Sequence, residues 1–172
     1  NIFDLKGKEL MKFRRDMQII FQDPFSSLNP RMTVYQIVSE PFTIHGHARG
    51  DEKKNKVIEI IEKVGLAPHH LYRYPHEFSG GQRQRISVAR ALAMEPRFII
   101  ADEPVSSLDV SIRSQILELL KKLKNELGLS YLYISHDLST VKYLCNRVAV
   151  MYAGKIVEIA NTKELFEKPL HP

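Results

Sequence analysis

Phe98-Ile99-Ile100-Ala101-Asp102-Glu103 is a continuous apolar run of strand length that ends in two adjacent carboxylates. It shows no alternation of apolar and polar positions, so it reads as a central strand buried on both faces, as in parallel sheets. Upstream, Phe78-Ser79-Gly80-Gly81-Gln82 reads as a glycine-rich turn that opens a helix, with Ser79 as its cap. The inner face of that helix is Ile86, Ala89 and Ala93 with Val88 and Leu92 beside it, Arg83, Arg85 and Arg90 offer positive charge, and Pro96 follows its end.

Beyond Glu103 the alternation of elements continues. A helix is expected over 111–127, with Ile112, Ile116, Leu119, Leu120, Leu123 and Leu127 on one stripe, followed by a strand over 131–134, a helix over 138–144 and a strand over 148–152. Strand and helix repeated in this order argue for a parallel α/β sheet. Ala153-Gly154 then turns the chain into a strand over 155–159, expected as a hairpin near the sheet edge, and Thr162 is expected to cap a last helix stopped by Pro169.

Toward the N-terminus, residues 17–21 form a short apolar strand, and the loop that follows contains Pro24 and Pro30, each expected to block regular structure. A helix is expected over 33–40, capped by Thr33 and closed by Pro41, with a polar connector over 45–50. Asp51 is expected to cap a helix bearing Val57, Ile58, Ile61 and Val64, with Gly65 as its left-handed end. Residues 31–95 therefore read as a mainly helical insertion.

At 172 residues and 44% hydrophobic content, the chain suits one ordinary domain or one domain with an embedded subdomain. Twenty-five Lys and Arg against 20 Asp and Glu give a net charge of +5 without a like-charge run. That excess suits nucleic acid or an anionic membrane surface, with a solvated surface as the simpler reading. The single cysteine, Cys145, has no internal disulfide partner and is expected as a small buried hydrophobe beside Leu138, Val141 and Leu144 in a reducing compartment. The apolar runs fall far short of the roughly 20 residues that span a bilayer, so any membrane role is expected through a partner. Asn1 and Leu170-His171-Pro172 read as cut ends.

Five places carry candidate chemistry. Ser79-Gly80-Gly81-Gln82 places a hydroxyl, two side chains without a Cβ and a positive helix end together, which suits an anion; its plain alternative is a capped helix. Asp102 and Glu103 end a strand where open α/β sheets bind ligands, one suited to a magnesium shell and the other to a water; the alternative is a solvated loop start. His136 and Gln22 each follow a strand and can reach the same edge, or serve as turn and loop residues. Asp109, after Ser106-Ser107-Leu108, is a candidate helix cap whether or not it has a further role. No GxxxxGK(S/T) segment, the usual phosphate cradle, occurs in the sequence.

With these motifs in order, the chain resembles the ATP-binding subunit of ABC transporters, most closely the oligopeptide and dipeptide importer group. Residues 78–82 resemble the ABC signature, with Phe78 where Leu is usual, and residues 98–103 resemble the Walker B strand with its catalytic glutamate. Residues 106–109 are similar to the D-loop, Gln22 to the Q-loop glutamine and His136 to the switch histidine. Ile20 to Arg31 and Phe166 to Pro172 carry the likeness to peptide importers, although nickel, dipeptide and oligopeptide systems share such strings.

The resemblance implies a P-loop NTPase-like α/β core with a mostly parallel sheet and a helical subdomain, truncated at the N-terminus. The division it implies is a core strand and Q-loop over 1–30, a helical subdomain with the signature over 31–95, and an α/β core over 96–172. It further implies ATP and Mg2+ as ligands, bound between two such subunits arranged head to tail as a homo- or heterodimer. Glu103 would polarise water, His136 would sense the γ-phosphate, and Asp102 and Gln22 would serve magnesium. Ser79, Gly80, Gly81, Gln82 and Asp109 would act across the dimer interface. Membrane-spanning permease subunits, and indirectly a peptide-binding protein, are the implied partners at the cytoplasmic side of the cell membrane, and no nucleic acid is expected. Without a phosphate loop the chain is expected to bind ATP poorly, to be inactive alone and to expose an apolar seam. Two other readings are a soluble ABC-type ATPase acting on nucleic acid or the ribosome, and a non-catalytic interaction module.

Overall fold

Strand β2 (Phe98–Asp102) lies between β1 (Met17–Ile20) and β3 (Ser130–Ile134) in a three-stranded sheet, and both pairings are parallel. The computed structural model describes residues 2–46 and 48–171, and the chain divides into two compact units, Asn1–Ile134 and Ser135–Pro172.

In the first unit, helix α1 (Gly7–Asp16) leads into β1, and every described regular element between β1 and β2 is helical. These elements are α2 (Pro24–Ser27), α3 (Val34–His45), α4 (Gly50–Lys63), two 3-10 turns (Pro68–Tyr72 and Pro75–Glu77) and α5 (Gly80–Leu92). Helix α6 (Val110–Leu127) connects β2 to β3. Helix α5 packs against β1, and Ile20, Ile99, Ala101, Ile86, Val88 and Ala89 are all fully buried. This shared core fixes the sheet with the helical segment.

The other face of the sheet is less covered. Ile19, Ile100 and Leu132 fall in one register row, and Ile19, Leu132 and Ile134 are 37%, 49% and 44% exposed. This corrects the expectation that β2 is buried on both faces. Ile99 and Ala101 are buried, but Phe98 and Ile100 are only half-buried.

Two prolines behave differently from expectation. Pro24 starts α2 at its first turn, where a missing N–H costs nothing, and Asp23 caps it by accepting from Phe25 N–H at 2.8 Å and Ser26 N–H at 3.3 Å. Those bonds hold the Asp23 carboxyl below its ordinary range, the Phe25 amide contributing most. Pro41 does not close α3 but lies inside it. Phe42, next to it, is 1% exposed, and burying such a ring gains about 2–3 kcal/mol, comparable with the roughly 3 kcal/mol that an interior proline costs. The helix instead ends at Gly46, whose left-handed conformation lets its N–H reach the Phe42 carbonyl. The 45–50 connector thus loses His45 to the helix, and His47 lies outside the described residues.

The cap at Thr33 is as expected, with a reciprocal box to Gln36. Asp51 is not a cap: α4 begins one residue earlier, so Asp51 sits in the first turn and favours the helix dipole instead. Its buried stripe is Val57, Ile60, Ile61 and Val64, and Gly65 at φ 76° ends the helix.

Arg83, Arg85 and Arg90 are cross-links rather than a free positive face. Arg83 Nε donates to the Pro75 carbonyl at 2.8 Å and stacks over Phe25, Arg85 Nη1 donates to the Val64 carbonyl at 2.6 Å, and Arg90 Nη1 donates to the Ser27 carbonyl at 2.6 Å.

The second unit contains α7 (Leu138–Leu144), β4 (Arg147–Tyr152), β5 (Lys155–Asn161) and α8 (Thr162–Glu167). Strand β4 does not extend the parallel sheet. It pairs antiparallel with β5 in a separate two-stranded sheet. Ala153 and Gly154, with φ of 48° and 75°, form the tight turn whose twist suits a hairpin. Asn161 occupies the cap position of α8, while the Thr162 hydroxyl donates to the Cys145 carbonyl at 2.7 Å. Cys145 is half-buried and Leu138 is 62% exposed, so only Val141 and Leu144 of that set are core residues. No helix among the described residues is long and apolar enough to cross a membrane.

Candidate functional site

Parallel pairing brings the C-terminal ends of β1, β2 and β3 to one edge of the sheet, where Gln22 follows β1 and Glu103 follows β2. Gln22 Nε2 donates to Glu103 Oε2 at 2.9 Å. The amide oxygen of Gln22 therefore points away from the carboxylate. Asp102, the last residue of β2, is half-buried on the same edge.

Glu103 is tethered by its backbone. Its φ of 44° is left-handed, a region that a residue with a Cβ adopts at a cost of about 1–2 kcal/mol. Three bonds hold it there: its N–H donates to the Ile134 carbonyl at 3.0 Å, and its carbonyl accepts from Ser106 N–H at 3.2 Å and the Ser106 hydroxyl at 3.1 Å. The sheet ladder thus runs one residue past β2, and the chain then turns sharply with the carboxylate at the rim. Ser106 as the residue bracing that turn escapes a reading of the sequence, although a hydroxyl three residues beyond a sharp acidic turn is the available signal.

The turn at Ser79 is built as a reciprocal cap. Gln82 N–H donates to Ser79 Oγ at 3.3 Å, and Ser79 N–H donates to Gln82 Oε1 at 3.1 Å. Phe78 anchors the turn from below. It is 3% exposed, with the Arg73 guanidinium 4.8 Å above its ring and His70 edge-on at 5.3 Å. A Phe at this position therefore has a cation and an imidazole to pack against.

Gly80 and Gly81 abut the segment that follows Glu103. A methyl group on Gly80 would meet Leu108 Cδ2 at 3.5 Å, and one on Gly81 would meet Ile112 Cγ2 at 2.4 Å. Asp109 sits at the N-cap position of α6, but its carboxylate makes no cap bond, so the expected capping role is confined to its backbone carbonyl, which accepts from Arg113 N–H at 2.8 Å. Arg113 Nη2 also donates to the Leu108 carbonyl at 3.2 Å.

His136 belongs to the second unit, two residues after Ile134 in the sequence. It is exposed and lies in a turn tied by its neighbours: Asp137 N–H donates to Ser135 Oγ at 3.0 Å, and Asp137 Oδ1 caps α7 through Ser139 N–H at 2.9 Å.

The donor chemistry fits a hard cation held jointly with phosphates. Asp102, Glu103 and the Gln22 amide oxygen offer only oxygen ligands. Among the described residues no group of three or more His, Cys, Asp or Glu forms a cage of its own. Mg2+ characteristically takes one or two carboxylates, waters and nucleotide oxygens instead.

The chain is similar to known proteins along most of its length. The chain is 59% identical over 166 residues to the oligopeptide transport ATP-binding protein OppF of Bacillus subtilis, an alignment covering 96% of this chain and 54% of that protein. It is 54% identical over 171 residues to the glutathione import ATP-binding protein GsiA of Salmonella paratyphi A, covering 99% of this chain and 27% of that protein. The chain thus spans about half the length, or less, of these curated relatives. Among solved structures, cbiO1 from Clostridium perfringens, part of the ABC transporter complex cbiONQ, superposes with a TM-score of 0.83 at 34% identity, covering 96% of this chain and 64% of that one. The ATP-binding cassette MJ0796, solved as a post-hydrolysis dimer with ADP and Pi, superposes with a TM-score of 0.76 at 32% identity, covering 92% of this chain and 68% of that one. Residues 2–106 match the family model described as ABC transporter, and the chain belongs to that family.

Proposed function

We propose that this chain is part of the ATP-hydrolysing subunit of an ABC importer for peptides. The hydrogen bond between Gln22 and Glu103 carries the reading, because it joins two polar residues from different strands at the ligand-binding edge of a parallel sheet. Glu103 polarises the attacking water, Gln22 and Asp102 serve the magnesium shell, and His136 contacts the γ-phosphate. Ser79, Gly80, Gly81, Gln82 and Asp109 act on the nucleotide of a second subunit, so two subunits close around ATP head to tail. Mg2+, when bound, neutralises charge on the phosphates during transfer.

Residues 31–95 serve as the helical subdomain that, with the Gln22 loop, pushes on membrane-spanning permease subunits at the cytoplasmic face. The peptide class rests on the names of the relatives, which include oligopeptide and glutathione import proteins.

The test is co-purification of the subunit with its permease, followed by ATPase assays in vesicles with a peptide-binding protein present. Peptide-stimulated hydrolysis is the expected result. Stimulation by nucleic acid, with no permease recovered, would overturn it in favour of a soluble clamp.

A further inference from the structure

Gly81 is buried, and a methyl group on its Cα would lie 2.4 Å from Ile112 Cγ2, with Ile112 Cβ at 3.7 Å and Cδ1 at 3.9 Å. Cγ2 branches directly from Cβ and cannot swing aside as the end of a long side chain does. Gly80 differs, because the nearest atom to a methyl group there is Leu108 Cδ2 at an ordinary 3.5 Å. Neither glycine has a positive φ, so backbone conformation demands neither. Steric contact within the chain demands glycine at 81 and not at 80.

Ile112 lies in the first turn of α6, on the segment that leaves Glu103. That segment is held at several points: Ser106 bonds the Glu103 carbonyl, Leu108 N–H reaches the Val105 carbonyl at 3.3 Å, and Arg113 holds the Leu108 carbonyl. A close fit between Gly81 and Ile112 therefore fixes the signature turn relative to the turn that carries Glu103.

We propose that Ile112 is a positioning residue for ATP hydrolysis, which seats against Gly81 and sets the spacing between the signature and the D-loop of the same chain. The proposal rests on the ATPase reading above. In a head-to-tail pair, the signature and Glu103 of one chain serve opposite nucleotides, so this spacing links the two sites.

The test is a double-mutant cycle on the full chain and on the subunit assembled with its partners, using Gly81→Ala, Ile112→Ala, the pair, and Gly81→Ala with Ile112→Val. Gly81→Ala is expected to lower Tm by about 4–8 °C, as overpacking does in a chain of this size. In the assembly it is expected to lower kcat about tenfold while KM for ATP stays within about twofold. Adding Ile112→Ala removes Cγ2 and is expected to return Tm and kcat to those of Ile112→Ala alone. Adding Ile112→Val keeps both γ carbons and is expected to rescue neither. Gly80→Ala is expected to leave Tm unchanged.

A Gly81→Ala chain with unchanged Tm, or a pair with no recovery of Tm, overturns the packing. Recovery of Tm without recovery of kcat overturns the positioning role. A wild-type assembly without ATPase activity sinks the functional reading instead, and the Tm cycle then still decides whether Ile112 seats on Gly81.

Discussion

Gln22 and Glu103, 81 residues apart in the sequence, share a 2.9 Å hydrogen bond from amide nitrogen to carboxylate oxygen. The bond is possible because β1 and β2 run parallel and end level, with Ile20 opposite Ala101. Glu103 also occupies a left-handed conformation that its surroundings maintain through Ile134 and Ser106. Backbone strain at a polar rim, held by bonds to two other segments, is the mark of a site where position matters more than local stability.

Glu103→Gln is expected to keep the Gln22 contact, through a side-chain amide, while removing the carboxylate. In the assembled subunit, ATP hydrolysis should fall by about 10²–10⁴-fold, the usual contribution of a group that handles a proton in the transition state. Binding of Mg-ATP should change little. Single-turnover hydrolysis with labelled ATP measures both, and a variant within about tenfold of wild type would remove Glu103 from the catalytic role.

Arg90 holds the loop after Gln22 to α5. Its guanidinium reaches the Ser27 carbonyl at 2.6 Å across 63 residues, and burial lowers its tendency to carry charge. Arg90→Met retains the apolar stem but loses the charged donor, so urea unfolding should show a destabilisation of about 1.5–3 kcal/mol. Arg90→Lys should recover little, because an ammonium cannot reproduce the flat, directed donor. Full stability in Arg90→Met would show that α2 is held by packing alone.

His70 gives the first unit a pH dependence. Its Nδ1 accepts from Ala67 N–H at 3.1 Å, which requires the neutral ring. Burial lowers its pKa from the ordinary 6.5, with smaller contributions from His69 and Arg73. A depressed folded pKa means that the unfolded chain takes up the proton first as pH falls. Stability is therefore complete above about pH 6.5 and declines as pH falls through the folded value. Thermal unfolding between about pH 7.5 and pH 5 should show a steeper loss in wild type than in His70→Asn, which keeps an acceptor but does not titrate. Parallel curves would eliminate His70 as the source.

The sequence made the Ser79 and Thr33 caps and the rim residues legible because each depends on local chemistry. Ser79 with Gln82, and Thr33 with Gln36, are three apart and form reciprocal boxes that need no tertiary information. Gln22 and Glu103 were readable as strand-end residues, but the bond between them required the register. Pro41 was misread because Phe42 must find its pocket before the helix can continue through it. The hairpin of β4 and β5 was legible from the Ala153-Gly154 turn, but its place outside the parallel sheet was not, because the alternation of elements says that a strand exists and not which sheet it joins. The three arginines of α5 looked like surface charge because their carbonyl acceptors lie far away in sequence.

The affinity of the chain itself for nucleotide is the remaining measurable quantity. Backbone amides of a phosphate loop, with a lysine, supply most of the binding in P-loop sites, and no GxxxxGK(S/T) segment occurs here. The oxygen ligands Asp102, Glu103 and Gln22 gather no cage among the described residues, so they can hold Mg2+ only together with phosphates fixed by other groups. The capped turn at Ser79 offers an anion site, but a single helix end contributes only about 0.3–1 kcal/mol when exposed. Isothermal titration of Mg-ATP into the 172-residue chain should therefore give a Kd weaker than about 0.1 mM, or less than about 5.5 kcal/mol of binding. Micromolar binding would show that the carboxylate rim and the signature turn hold the triphosphate unaided, and the division of the site between two subunits would then have to be abandoned.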